Sequence, residues 1–157
     1  MTPTTPYSAD LGDRDPLAAL RETPARIQAI AGGWAPQQFE RPLAPGKWTA
    51  RQILVHLAQC ELAFGNRARM ALVTTDYTAQ NMDQDAWMVR EGRVSGADAL
   101  AAFVALARMN VVLFESLSAA DRAIAIGHPE YGAITIDWVM HQMAGHQIHH
   151  LSQLETF

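Results

Sequence analysis

Cysteine is almost absent from this sequence: Cys60 stands alone, so an internal disulfide is excluded and no zinc cage of thiolates can form. Any metal must be held by imidazole and carboxylate. Basic residues are also in deficit, with 12 Lys and Arg against 16 Asp and Glu and a formal net charge of -4. That balance argues against nucleic acid as a partner, because such binders gain much of their affinity from cations that displace counterions. No apolar run is read as reaching the ~20 residues that cross a bilayer, and the N-terminus has neither a basic start nor an apolar stretch. The expectation is a cytoplasmic protein without a membrane segment. Cys60 itself falls in an apolar helical stretch, where a buried inert thiol is the expected state.

What is present is an ordinary globular balance, 49% hydrophobic and 18% charged over 157 residues, enough for one core and too little for two. Residues 1–14 are polar and proline-rich and read as a tail, leaving 15–157 as a single domain. Asp15 followed by Pro16 marks the start of a first helix that ends at Gly32-Gly33, with Pro24 able to kink or divide it. The proline-rich stretch that follows cannot continue a helix and reads as a connection over the end of the fold. Thr49 with Gln52 forms a capping-box signature, opening a second helix to about Leu72 with Ile53, Leu57, Cys60 and Phe64 on one stripe. Residues 74–96 fit a long connection or a short helix. A third helix over 97–117 is capped by Ser95, and after a break at 127–132 Thr135 caps the last, striped by Ile136, Val139, Met140, Met143, Leu151 and Leu154. The fold class is all-α, four amphipathic helices in a bundle.

His146 and His150 lie four residues apart on that last helix, so both rings share one face about a turn apart, as in helices that present paired metal ligands. They share a track with Val139, Met143 and Leu154, which aims them at the core. His56 has the matching place on the second helix and is the third ring that could converge. Spacing alone leaves surface or capping histidines as the alternative. His149 lies about 100° around the helix from either candidate, His141 precedes the track, and His128 sits in a Gly/Pro loop from which it could reach the mouth of the site.

With these residues in place the chain resembles the DinB/YfiT-like superfamily of metal-binding four-helix proteins, unrelated to the DNA polymerase that shares the DinB name. The resemblance rests on Pro45-Gly46-Lys47-Trp48-Thr49 leading to His56-Leu57-Ala58 and Glu61, on Asp83-Gln84-Asp85-Ala86-Trp87, on His128-Pro129-Glu130-Tyr131-Gly132, and on the segment from His146 to Glu155. It implies a bundle of that type with long connections and one divalent metal ion on His56, His146 and His150, with zinc or nickel expected. It also implies a homodimer and a small-molecule substrate.

Three neutral imidazoles leave a divalent ion's charge uncompensated and coordination positions open, as in catalytic rather than structural sites. Relatives implied by the resemblance transfer low-molecular-weight thiols such as bacillithiol, mycothiol or glutathione, so thiol S-transfer with such a co-substrate is the first expectation. Hydrolysis by a metal-activated water is the second, and a non-enzymatic, metal-stabilised binding protein the third. A hydrolase would need a general base, for which Glu61, Asp83 and Asp85 are candidates, although Glu61 reads more simply as a solvated or capping residue. Asp85 and Trp87 are candidates for the entrance, Trp87 equally for packing.

Overall fold

Four long helices arise where the caps and stripes place them. The structure is a computed structural model that describes residues 2–157. Near the N-terminus lies a single turn, α1 (Ser8–Leu11), followed by α2 (Pro16–Ala31), whose cap Asp15 accepts from the Ala18 N–H at 2.8 Å. Pro24 lies on the buried face and α2 runs through it as one element. The proline-rich connection contains α3 (Pro36–Phe39) and delivers the chain to Thr49, where the expected reciprocal bonds with Gln52 open α4 (Ala50–Val73).

The ambiguous stretch resolves into a connection and the short helix α5 (Gln84–Arg90), capped by Asp83. Next come α6 (Gly96–Glu115), capped by Ser95, and the turn α7 (Ala119–Arg122). The break at 127–132 belongs in part to a hairpin, β1 (Ala125–His128) and β2 (Gly132–Thr135), antiparallel from Ala125 opposite Thr135 to His128 opposite Gly132. Gly132 takes a positive φ of 70° where the chain leaves the turn, a conformation that favours glycine. Thr135 then caps α8 (Ile136–Leu154).

Both α2 and α4 pack against α6 and α8, which places α2 opposite α4 and α6 opposite α8 in the bundle. Two apolar clusters result. One holds Ile27, Ile53, Leu57, Leu100, Phe103 and Leu154; the other holds Leu20, Phe114, Ile136, Val139, Met140 and Met143. Each such side chain contributes roughly 1.5–3 kcal/mol on burial. Along α4, α6 and α8, the buried polar residues Glu61, Asn110, His146 and Gln147 fall between the two clusters. The fold therefore carries a polar layer through its middle.

Two expectations change. Helix α6 is, by length and composition, apolar enough to cross a bilayer. Its apolar residues extend beyond the core stripe to exposed positions such as Met109 and Val112, while Phe103 and Phe114 are fully buried against its neighbours. Secondly, residues 4–11 of the expected tail, whose Met1 lies outside the described residues, pack on the last helix. Trp138 Nε1 donates to the Thr4 carbonyl at 2.9 Å, and α1 lies against α8. Gly145 makes this approach possible, since a Cβ there would run into the Tyr7 carbonyl.

Candidate metal centre

His56 on α4 and His146 and His150 on α8 are all buried, and each offers a ring nitrogen within 4.8 Å of the other two. His146 Nε2 lies 2.9 Å from His56 Nε2 and 3.0 Å from His150 Nε2. Two such contacts cannot both be good hydrogen bonds, because His146 Nε2 offers either one proton or one in-plane lone pair.

The tautomer of His150 sharpens the argument. Its Nδ1 faces Gln153 Oε1 at 2.8 Å, and a carbonyl oxygen only accepts, so Nδ1 carries the proton and Nε2 presents a lone pair. The Gln153 amide nitrogen then donates to His149 Nε2 at 3.2 Å, and His149 Nδ1 faces Asp10 Oδ1 at 3.3 Å. A relay from Asp10 through His149 and Gln153 thus orients the ligand from behind, as outer partners do in metal sites. His149 lies outside the nitrogen cluster, yet it has a place in the relay. Gln153→Ala is expected to weaken zinc binding by about 10–100-fold, as loss of such a partner typically does; competition against a chromophoric zinc indicator measures it.

Burial lowers the pKa of all three rings: His56 from 6.5 to about 3, His150 to about 4, and His146 well below 6.5, with the neighbouring imidazoles adding to the effect. The rings are neutral at pH 7 and ready to ligate. Trp48 packs on His56 with ring centroids 5.0 Å apart, and Tyr7 meets His146 nearly edge-on at 5.0 Å. Three neutral, buried, convergent imidazoles with one tautomer already set fit a divalent cation.

Cys60 Sγ lies 3.6 Å from His56 Nε2, and burial pushes its pKa up, so it stays a thiol. Glu61 is not solvated as expected but fully buried. Its Oε2 accepts from Asn110 Nδ2 at 2.8 Å and its Oε1 from Gln147 Nε2 at 2.7 Å, while Arg69 donates to Asn110 Oδ1. Gly65 admits Asn110 here, since any Cβ would strike its amide. Burial raises Glu61 to about 7, a value suited to a general base. Geometry comes first, however, and Glu61 does not line the cavity beside the histidines.

That cavity, about 190 Å³, is lined by His56 and His146 together with Tyr7, Arg67, His128, Glu130 and Gln142 among others. Asp83 and Asp85 are exposed and are not among its lining residues, and Asp83 is spent on capping α5. Trp87 lines an adjoining groove of about 360 Å³ that shares Arg67, Asn81 and Met82 with the cavity. His128 does reach the site from the end of β1; its Nδ1 accepts from the Glu130 backbone N–H at 3.2 Å, which leaves the proton on Nε2. Arg67, Glu130 and Gln142 were not singled out from the sequence. Glu130 carried the only available signal, its place beside His128 in a loop.

A model of the DinB superfamily matches residues 19–154. A protein of Oceanobacillus iheyensis, provisionally named a metal-dependent hydrolase, is 26% identical over 121 residues, spanning 76% of this chain and 70% of that one. A Bacillus licheniformis protein with the same provisional name is 24% identical over 143 residues, spanning 89% and 81%. Among solved structures, YfiT from Bacillus subtilis, described as a probable metal-dependent hydrolase with an unusual four-helix bundle topology, superposes with a TM-score of 0.82. The match covers 99% of this chain and 89% of YfiT at 20% identity, which is a likeness of fold.

Proposed function

The chain belongs to the DinB superfamily, and from that premise we propose that it is a hydrolase of small molecules, dependent on one divalent ion, zinc or nickel, held by His56, His146 and His150. The observation that carries this reading is the convergence of three neutral imidazole nitrogens whose two short contacts hydrogen bonding cannot satisfy together. The names of its curated relatives support it. A divalent ion held by these three rings would supply Lewis acidity, lowering the pKa of a water toward neutrality and polarising a carbonyl oxygen.

The chain's own residues divide the remaining work. Gln153 holds His150 in its ligating tautomer. Glu130, in the cavity wall, takes the proton of the attacking water. His128 keeps its proton on Nε2 and donates to the oxygen on which negative charge develops. Tyr7, brought in by the N-terminal segment, closes one side over His146.

The test pairs elemental analysis of untagged protein with turnover of 4-nitrophenyl esters and of lactones. Near one divalent ion per chain and metal-dependent hydrolysis are expected, both lost in the His56→Ala, His146→Ala, His150→Ala variant. Equal metal in both proteins would sink the site. Consumption of glutathione or bacillithiol with an electrophile, in place of ester hydrolysis, would transfer the same centre to thiol chemistry.

A further inference from the structure

Arg67 is a buried cation in the wall of the metal-site cavity, 6% exposed, and no ion pair neutralises it among the described residues. Among the described residues one of its five N–H groups is used, donating to the Gln80 carbonyl at 2.9 Å. No carboxylate pairs with it among the described residues. Glu130 lines the same cavity but is exposed at its rim and outside ion-pair distance. The guanidinium carbon lies 5.0 Å from the centroid of the Phe64 ring, so the group is supported on an aromatic face rather than by an anion. A buried charge left unpaired is costly, and a bound anion would offset that cost.

A second, independent group also points to a ligand in the cavity. Gln142 on α8 lines the cavity, is 6% exposed, and its Oε1 is buried without a hydrogen-bond partner. Native structures leave few such atoms unsatisfied, and those at a cavity mark a ligand's place. His128, with its proton on Nε2, adds a third polar group to the same wall. Together they offer a planar cationic fork, an amide and a neutral N–H donor beside two metal ligands. A carboxylate matches the guanidinium, because its two oxygens accept from the fork in parallel, and Gln142 Oε1, an acceptor, calls for a donor group on the same molecule. The cavity is smaller than the usual ~300–1,000 Å³ of ligand pockets, so the molecule it admits is small.

We propose that the substrate is a small molecule bearing a free carboxylate, and that Arg67 holds that carboxylate while Gln142 Oε1 accepts from an N–H or O–H elsewhere on the molecule and the scissile group faces His56 and His146. This rests on the hydrolase reading of the same cavity, with Arg67 as a specificity residue. Arg67 and the two histidines line the same cavity, so one small molecule can meet both.

The test is calorimetric binding of glutarate and of its neutral isostere glutaramide to the zinc-loaded protein, for wild type, Arg67→Met and Arg67→Lys. Wild type is expected to bind glutarate at least ~10-fold tighter than glutaramide, as a charge-assisted pair requires. Arg67→Met removes that preference, and Arg67→Lys, which keeps the charge but not the fork, retains part of it. Equal affinity for both ligands in wild type, or a preference that survives Arg67→Met and so belongs to the metal alone, overturns the proposal. If Arg67→Met does not fold, Arg67→Lys decides: an undiminished preference overturns the proposal and a reduced one upholds it. Hydrolysis of mono-4-nitrophenyl glutarate and its methyl-capped counterpart separates the two readings. Equal kcat/KM for both esters leaves a hydrolase without carboxylate selection. No turnover of either ester removes the hydrolase reading, and the calorimetry still decides the role of Arg67.

Discussion

Removing the metal is expected to lower the thermal midpoint of the wild-type protein by about 8–16 °C, and the triple histidine-to-alanine variant to show no metal-dependent shift at all. A ligand that binds only the native state, present at a thousandfold excess over its dissociation constant, stabilises by about 4 kcal/mol. For a chain of this length each kcal/mol moves the midpoint by roughly 2–4 °C. The effect is large because the ligands come from two helices: His56 sits on α4, while His146 and His150 sit on α8. An ion bound there would join opposite halves of the chain and replace two nitrogen contacts, at 2.9 and 3.0 Å, that cannot both be hydrogen bonds. Differential scanning fluorimetry with and without chelator, repeated after zinc is restored, gives the answer. Identical midpoints in all three conditions would show that no cation occupies the histidine cluster. A full shift without hydrolysis of any ester would leave the ion a structural task.

The parts of this site that repeat along a helix were legible before any coordinates. Thr49, Ser95 and Thr135 announce the helix starts because capping is local chemistry, settled within three residues. The pairing of His146 with His150 follows from helical geometry, and its burial from the apolar stripe they share. The hairpin escaped because its strands are four residues long and built around Gly127 and Gly132, too short for an alternating pattern. Its function depends on tertiary contacts as well: Gly127 exchanges backbone bonds with Tyr77 and Ala79, which ties the connection after α4 to the strand carrying His128.

Arg67 shows the limit from the other side. On a helix an arginine ordinarily reads as a solvated residue, and only the packing of the residue 74–83 connection, through the Gln80 carbonyl, makes it a wall of the cavity. Gln153 was invisible for a similar reason. It lies one turn beyond His149 and three residues beyond His150, and bonding to both requires side-chain rotamers that spacing does not dictate. The N-terminal residues contribute Tyr7 and Asp10 only because Gly145 lets the backbone approach α8, a contact across more than 130 residues of chain.

In the metal-free protein, the buried histidines are expected to withdraw about 5 kcal/mol of stability as pH falls from 6.5 toward 4, before the opposing contribution of Glu61. His56 and His150 titrate at about 3 and 4 in the native state, and His146 well below 6.5, all depressed by burial. Below pH 6.5 the unfolded chain therefore takes up protons that the native rings refuse, and unfolding gains with every step down until the native values are reached. Glu61 acts in the opposite direction. Burial raises its native value to about 7 from 4.5, so between those limits the native state keeps a proton the unfolded chain has released. Its contribution is present below pH 4.5 and is lost as pH rises through 7, on the order of 3 kcal/mol. The two effects oppose one another between pH 4.5 and 6.5, which flattens the wild-type profile. Glu61→Gln removes one of them. The amide stays neutral, and its N–H₂ can donate to Gln147 Oε1, a buried atom without a partner in the wild type. The variant is expected to exceed wild type by about 1–3 kcal/mol at pH 8, to lose that advantage by pH 5, and to fall more steeply below 6.5. Urea unfolding of metal-free protein at pH 8, 6.5 and 5 measures all three. A variant weaker than wild type at pH 8 would mean that the ionised carboxylate, held by Asn110 and Gln147, binds α4, α6 and α8 together more strongly than its burial opposes them.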